Sequence, residues 1–177
     1  MKKIVWTYGL ISGLIVSGWM LSSIAIGFDQ MDSNIAMFLG FTAMIIAFSF
    51  IFVAVKNFRD NLNNGTVTFG KAFQIGLLVS LIASTFYVVS WLVDYYLFIP
   101  DFMEKYSAHQ LEKLQQSGAT AVEIQSQTAE IQSMKEMYKN PLFVIMFTYI
   151  EILPIGLLIS LITAFFLKKK YKSTMES

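Results

Sequence analysis

The chain has 177 residues, of which 55% are apolar and 14% are charged. Soluble domains are about one quarter charged, and disordered chains are poor in apolar residues, so this composition argues against both classes. The absence of cysteine excludes disulfide scaffolds and thiol chemistry, and a net charge of +1 predicts no binding to nucleic acid.

Charged residues bound four long neutral segments. Because a helix needs about 20 apolar residues to cross the hydrocarbon core, each segment predicts a membrane-spanning helix. The alternative, four buried helices of a soluble protein, is disfavoured because segments this long leave no polar face for water. The expected fold is an all-α, four-helix transmembrane bundle that forms a single membrane domain. Its predicted spans are residues 4–27, 35–55, 72–99 and 142–167.

Nine of the thirteen Lys and Arg residues lie at the N-terminus, in the second loop or in the C-terminal tail. Since basic residues favour the cytoplasmic side, both termini are predicted to be cytoplasmic and residues 101–140 to face outward. The lysines of the tail are expected to contact anionic lipids at the cytoplasmic face of the bilayer.

The first apolar segment has a second interpretation. Lys2 and Lys3 followed by apolar residues also describe a secretory signal peptide, with small residues near Ser23 and Ala25 as a weak cleavage site. The segment is longer than the usual 7–15 apolar residues of a signal peptide, which favours a retained span. Charge counting does not decide between the two.

Small residues recur four positions apart in three spans, which predicts close helix packing because small side chains let backbones approach. The predicted packing residues are Gly9, Gly13, Gly76, Ser80, Gly156 and Ser160. Two segments, IGLLVSLIAS (75–84) and IGLLISLITA (155–164), are nearly identical. An internal duplication and a chance coincidence of apolar residues both remain open.

Two acidic residues lie inside the predicted spans. Asp94 ends a small and polar seam on the third helix, so it should point into protein or a water-filled opening. Glu151 lies about 14 Å into the fourth helix, close to the midplane. Pro154 follows it and is expected to kink the helix.

No Lys, Arg or His lies inside the spans to neutralise these acids. A bound proton, hydrogen bonds to groups such as Thr148, Ser90 or a tyrosine, and a hydrated cavity are the three arrangements left open. Asp94 and Glu151 are therefore candidates for an intramembrane proton or ion site, against the simpler interpretation of neutral, hydrogen-bonded acids.

The outward segment 101–140 has a helical composition. Gly118 should break it, and Thr120 with Glu123 matches a capping box that opens a second helix ending near Tyr138. We expect a periplasmic helical hairpin, packed locally or serving as a docking site for a protein partner. The single histidine, His109, cannot build a His-based metal site, and nothing in the chain predicts a metal, a cofactor or a catalytic residue.

Three stretches together resemble a known family. They are KNFRDNLNNGTVTFGKAF (56–73), IPDFMEKY (99–106) and NPLFVIMFTYIEILPIGLLISLITAFFLKKK (140–170). They are similar to domain-of-unknown-function family 4199, small multi-pass membrane proteins of Bacteroidota. The resemblance implies four helices in a bacterial inner membrane, with segment 101–140 in the periplasm. It supplies no activity, ligand or catalytic residue.

Two functional hypotheses follow. The first is a non-enzymatic inner-membrane protein that acts as an accessory or envelope-interaction module through the periplasmic hairpin. The alternative is a small proton- or cation-coupled carrier, a homodimer that uses Glu151, because intramembrane acids and broken helices mark transport sites. A membrane-embedded enzyme is disfavoured since no catalytic motif is present.

Overall fold

The computed structural model describes residues 1–25 and 33–169. Six α-helices follow one another along these residues, and no strand occurs among them. The helices are α1 (Lys2–Ala25), α2 (Ser33–Asn57), α3 (Phe69–Val93), α4 (Phe102–Gln116), α5 (Ala121–Tyr138) and α6 (Pro141–Leu167). Single π-helical turns, Phe58–Leu62 and Asp94–Phe98, extend α2 and α3.

Four of these helices, α1, α2, α3 and α6, are long and apolar enough to cross a membrane. This confirms the predicted all-α fold, including the helical hairpin α4–α5 between the third and fourth spans. The helices are longer than the apolar segments at several ends, and α1 begins at Lys2. Because Lys side chains reach back toward water, a lysine at the membrane edge does not end a helix. Residues 26–27 of the predicted first span lie outside the described residues.

Local chemistry explains where the helices begin. Asn140 Oδ1 accepts a hydrogen bond from the Leu142 N–H at 3.0 Å, and Pro141, which has no N–H to satisfy, is the first residue of α6. Thr68 similarly accepts from the Lys71 N–H at the start of α3. These caps lie outside the apolar segments, so the helices start before the apolar segments do.

The chain divides into two compact units. One contains residues 1–90 and 149–169 of the described chain, and the other contains residues 91–148. In the first unit, Asn64 and Gly65 have positive φ angles and turn the loop after α2. Val67 then pairs with Lys169, N–H to carbonyl in both directions, at 3.0 and 2.8 Å. This pairing joins the second loop to the end of α6.

The second unit is held together by aromatic contacts and a helix cap. Trp91 meets Phe102 edge to face, with ring centroids 4.9 Å apart, and Tyr138 lies 5.7 Å from Tyr95. Gly118, with φ of +73°, separates α4 from α5. The capping box predicted at Thr120 and Glu123 is confirmed, because each residue bonds the backbone N–H of the other.

Candidate functional site

α3 and α6 pack closely against each other in the first unit. A Cβ atom placed on Gly76 would lie 2.7 Å from Ser160 Oγ, and one on Gly156 would lie 2.7 Å from Ser80 Oγ. The Ser80 and Ser160 hydroxyls are 3.2 Å apart and form a buried hydrogen bond. Each glycine therefore faces the serine of the other helix, and the two near-identical segments cross as a symmetrical antiparallel pair.

The other two spans also make close contacts at small residues. Cβ atoms on Gly9 and Gly13 of α1 would lie 2.8 Å and 2.9 Å from side-chain atoms of Ile82 and Phe86 on α3. From α2, Ile51 lies against Gly76, and Phe48 lies against Gly156. All six predicted packing residues are thus found where two helices touch.

Glu151 lies on α6 with its side chain exposed at the surface of the first unit. The buried Tyr87 hydroxyl of α3 donates a hydrogen bond to Glu151 Oε1 at 3.2 Å. A second hydroxyl pair, Thr85 and Tyr149, lies 2.9 Å apart between the same two helices. The sequence predicted a tyrosine as one possible hydrogen-bond partner for the acids. In the structure Tyr87 is such a partner for the Glu151 carboxyl.

Thr148 was another candidate partner for the acids, but its hydroxyl donates to the Val144 carbonyl of its own helix at 2.7 Å. Pro154 lies inside α6, which continues through it to Leu167. Because proline has no N–H, the Ile150 carbonyl loses its usual helical partner six residues before the bundle contact at Gly156. The kink predicted at Pro154 stays a prediction.

Asp94 belongs to the second unit and is only 1% exposed. It is the first residue of the π-helical turn that ends α3, and its carbonyl accepts the Ile99 N–H at 2.8 Å. Its Oδ2 atom has no hydrogen-bond partner among the described residues. The seam that precedes it is also buried at Gly76, Ser80, Ala83 and Tyr87, so this face of α3 meets protein as predicted.

Three buried hydroxyls also lack a hydrogen-bond partner within the described chain: Ser12, Ser17 and Ser84. Spacing alone had not singled out Ser12. In the sequence, Ser12 stands out only as a hydroxyl within a long apolar segment. This does not show which face of α1 the residue occupies. No group of three or more His, Asp or Glu side chains that could hold a metal occurs among residues 1–25 and 33–169.

The hairpin of the second unit carries a groove of about 340 Å³ between α4 and α5. Lys135 of α5 bridges to Glu104 of α4 at 2.9 Å, and this ammonium lowers the pKa of the Glu104 carboxyl. Both apolar and polar side chains line the groove. It is lined by Tyr106, Gln110, Lys113, Leu114, Ser117, Gln127, Glu130, Ile131 and Met134.

The model of one family, described as Protein of unknown function (DUF4199), matches residues 7–169, which confirms the resemblance found in the sequence. No curated protein and no solved structure gives a significant match. The match runs from within α1 to the end of α6 and includes the hairpin α4–α5.

Proposed function

The chain belongs to the family described as Protein of unknown function (DUF4199), and we propose that it is a non-enzymatic accessory protein of the bacterial inner membrane. Its four spans hold the α4–α5 hairpin at the periplasmic surface, where the hairpin binds an envelope protein. Both termini are cytoplasmic, which the distribution of Lys and Arg favours. The basic second loop and tail contact anionic lipid headgroups.

The groove between α4 and α5 is the observation that carries this proposal. Its lining includes three apolar side chains, Leu114, Ile131 and Met134, and two side chains of opposite charge, Lys113 and Glu130. A volume of about 340 Å³ accommodates a few side chains of a partner. Buried apolar anchors surrounded by polar groups are typical of protein-binding surfaces.

A site-specific photocrosslinker tests this function. Placed at Ile131, within the groove, it is expected to capture one envelope protein in living cells. Placed at Val122, which is on the same helix, outside the groove lining and 76% exposed, it should capture none. The Lys113→Glu substitution should weaken capture at Ile131 because it leaves two acids at the groove. Equal capture from both positions, or none from either, would contradict the proposal.

A proton- or cation-coupled carrier is the second candidate, supported by the bond from Tyr87 to Glu151. This bond places a titratable carboxyl and a phenol together inside the predicted span, beside Pro154. In proteoliposomes, Glu151→Gln should abolish coupled flux and Tyr87→Phe should lower it, while Glu123→Gln in the hairpin should leave it unchanged. No flux in the wild type, or equal flux in Glu151→Gln, would exclude the carrier.

A further inference from the structure

The last span, α6, is the least covered of the four. Within the chain, 22% of its apolar window is buried, against 39–44% for the other spans. Glu151, Leu158 and Ile162 are exposed together on it. At 3.6 residues per turn these three side chains lie within about 40° around the helix axis, so they form one continuous surface, the Glu151 face.

An exposed glutamate is out of place on such a surface. Glu151 lies ten residues into α6, roughly 15 Å from its outer end, at a depth where lipid tails offer no hydrogen bonds. Tyr87 satisfies Oε1, but the side chain remains exposed. Polar groups at this depth ordinarily face protein or water. The Glu151 face is therefore expected to meet another protein surface.

We propose that the Glu151 face binds a second copy of this chain. Two copies inserted in the same direction are related by a two-fold axis along the membrane normal, so residues near the axis meet their own counterparts at the same depth. Glu151 then faces Glu151 of the second copy, and a protonated carboxyl of one donates to the other. Leu158 and Ile162 extend the contact on the side toward the end of α6.

Depth favours a second copy over an unrelated partner. The predicted apolar spans (4–27, 35–55, 72–99 and 142–167) contain no Lys, Arg or His, so an identical chain cannot supply a cation at this depth, but it supplies a carboxyl there by symmetry alone. Hydrogen bonds between such side chains hold spanning helices together where hydrophobic attraction is absent. The proposal is independent of the hairpin, because it concerns only the first unit.

Cysteine crosslinking in native membranes tests the interface, and the chain contains no cysteine to interfere. Leu158→Cys and Ile162→Cys are expected to oxidise to a covalent dimer of twice 20.1 kDa. Leu14→Cys on α1 is the matched control, since Leu14 is 63% exposed and Leu158 is 57% exposed. Equal dimer at all three positions, no dimer, or a crosslink only to a different protein would overturn the proposal.

The role of the carboxyl is tested by measuring dimerisation in liposomes at increasing dilution in lipid. Glu151→Gln should dimerise within threefold of the wild type, because an amide also donates and accepts hydrogen bonds. Glu151→Leu should weaken dimerisation at least tenfold. Circular dichroism checks that Glu151→Leu is folded; if it is not, the cysteine crosslinks decide the question. A folded Glu151→Leu variant that dimerises like the wild type would contradict the proposal.

Discussion

At the level of single residues, the capping box at the start of α5 couples structure to pH. The backbone N–H and hydroxyl of Thr120 both bond to Glu123, and these bonds lower the pKa of the Glu123 carboxyl. The pKa in the unfolded chain is about 4.3. Because the folded value is lower, the bonds stabilise α5 above that pH and are lost as pH falls through the folded value.

Acid should therefore loosen the first turn of α5. Amide protection factors of this turn are expected to stay constant above about pH 4.3 and to fall at lower pH. In Glu123→Gln the side chain can still accept a hydrogen bond but does not titrate, so its protection should not change with pH. Hydrogen exchange of both proteins in nanodiscs measures the difference. Protection in the wild type that is unchanged down to pH 3 would contradict the prediction.

The two acidic residues within the predicted spans could be located from the sequence, but their contacts could not. Asp94 and Glu151 could be found from the sequence because each interrupts a neutral segment. Their surroundings could not, since the face that a residue occupies depends on where helices cross. Asp94 is buried, whereas Glu151 is exposed and held by Tyr87, a residue 64 positions away.

At the level of elements, the crossing of α3 and α6 sets the tightest packing limit. Gly76 and Gly156 face Ser160 and Ser80, and each serine hydroxyl can donate its one proton either to the carbonyl of the glycine four residues before it or to the other serine. A methyl group at either glycine would meet Cβ as well as Oγ of the facing serine. The helices would have to separate to admit it.

Gly76→Ala and Gly156→Ala should each lower the free energy of unfolding by about 1–3 kcal/mol, the usual cost of overpacking. Combining Gly76→Ala with Ser160→Gly should recover most of the loss, because the small residue is moved to the other helix. Unfolding in mixed micelles measures these values. Gly40→Ala is the control, since nothing lies within 4 Å of its new methyl group. A Gly76→Ala protein as stable as Gly40→Ala would contradict this packing.

The helices themselves were largely predictable, and their ends and crossings were not. Long neutral segments predicted four spans, and the Thr120 cap predicted the start of α5. The third span was expected over residues 72–99, whereas α3 begins at Phe69 and gives way to a π-helical turn at Asp94. Hydropathy indicates which residues can lie among lipid tails, but caps and backbone hydrogen bonds determine where a helix begins and ends.

At the level of the whole molecule, orientation is the property on which the functional proposals depend. Val122→Cys in the hairpin should react with a membrane-impermeant maleimide in intact spheroplasts. Asn61→Cys, in the π-helical turn that extends α2, should react only after permeabilisation, because the basic residues around it favour the cytoplasm. Both residues are exposed, so accessibility to solvent is matched. Labelling of Asn61→Cys in intact spheroplasts would contradict this orientation and would indicate the opposite one.

The α3–α6 crossing also has a consequence in time. Ser80 and Ser160 are 80 residues apart. At 5–20 residues per second, the ribosome therefore adds Ser160 roughly 4–16 s after it adds Ser80. During that interval the polar seam of α3 lies in the translocon or the bilayer without α6 packed against it. The bond from Ser80 to the Gly76 carbonyl lies within α3 itself, so this hydroxyl is already satisfied when the nascent helix enters the membrane.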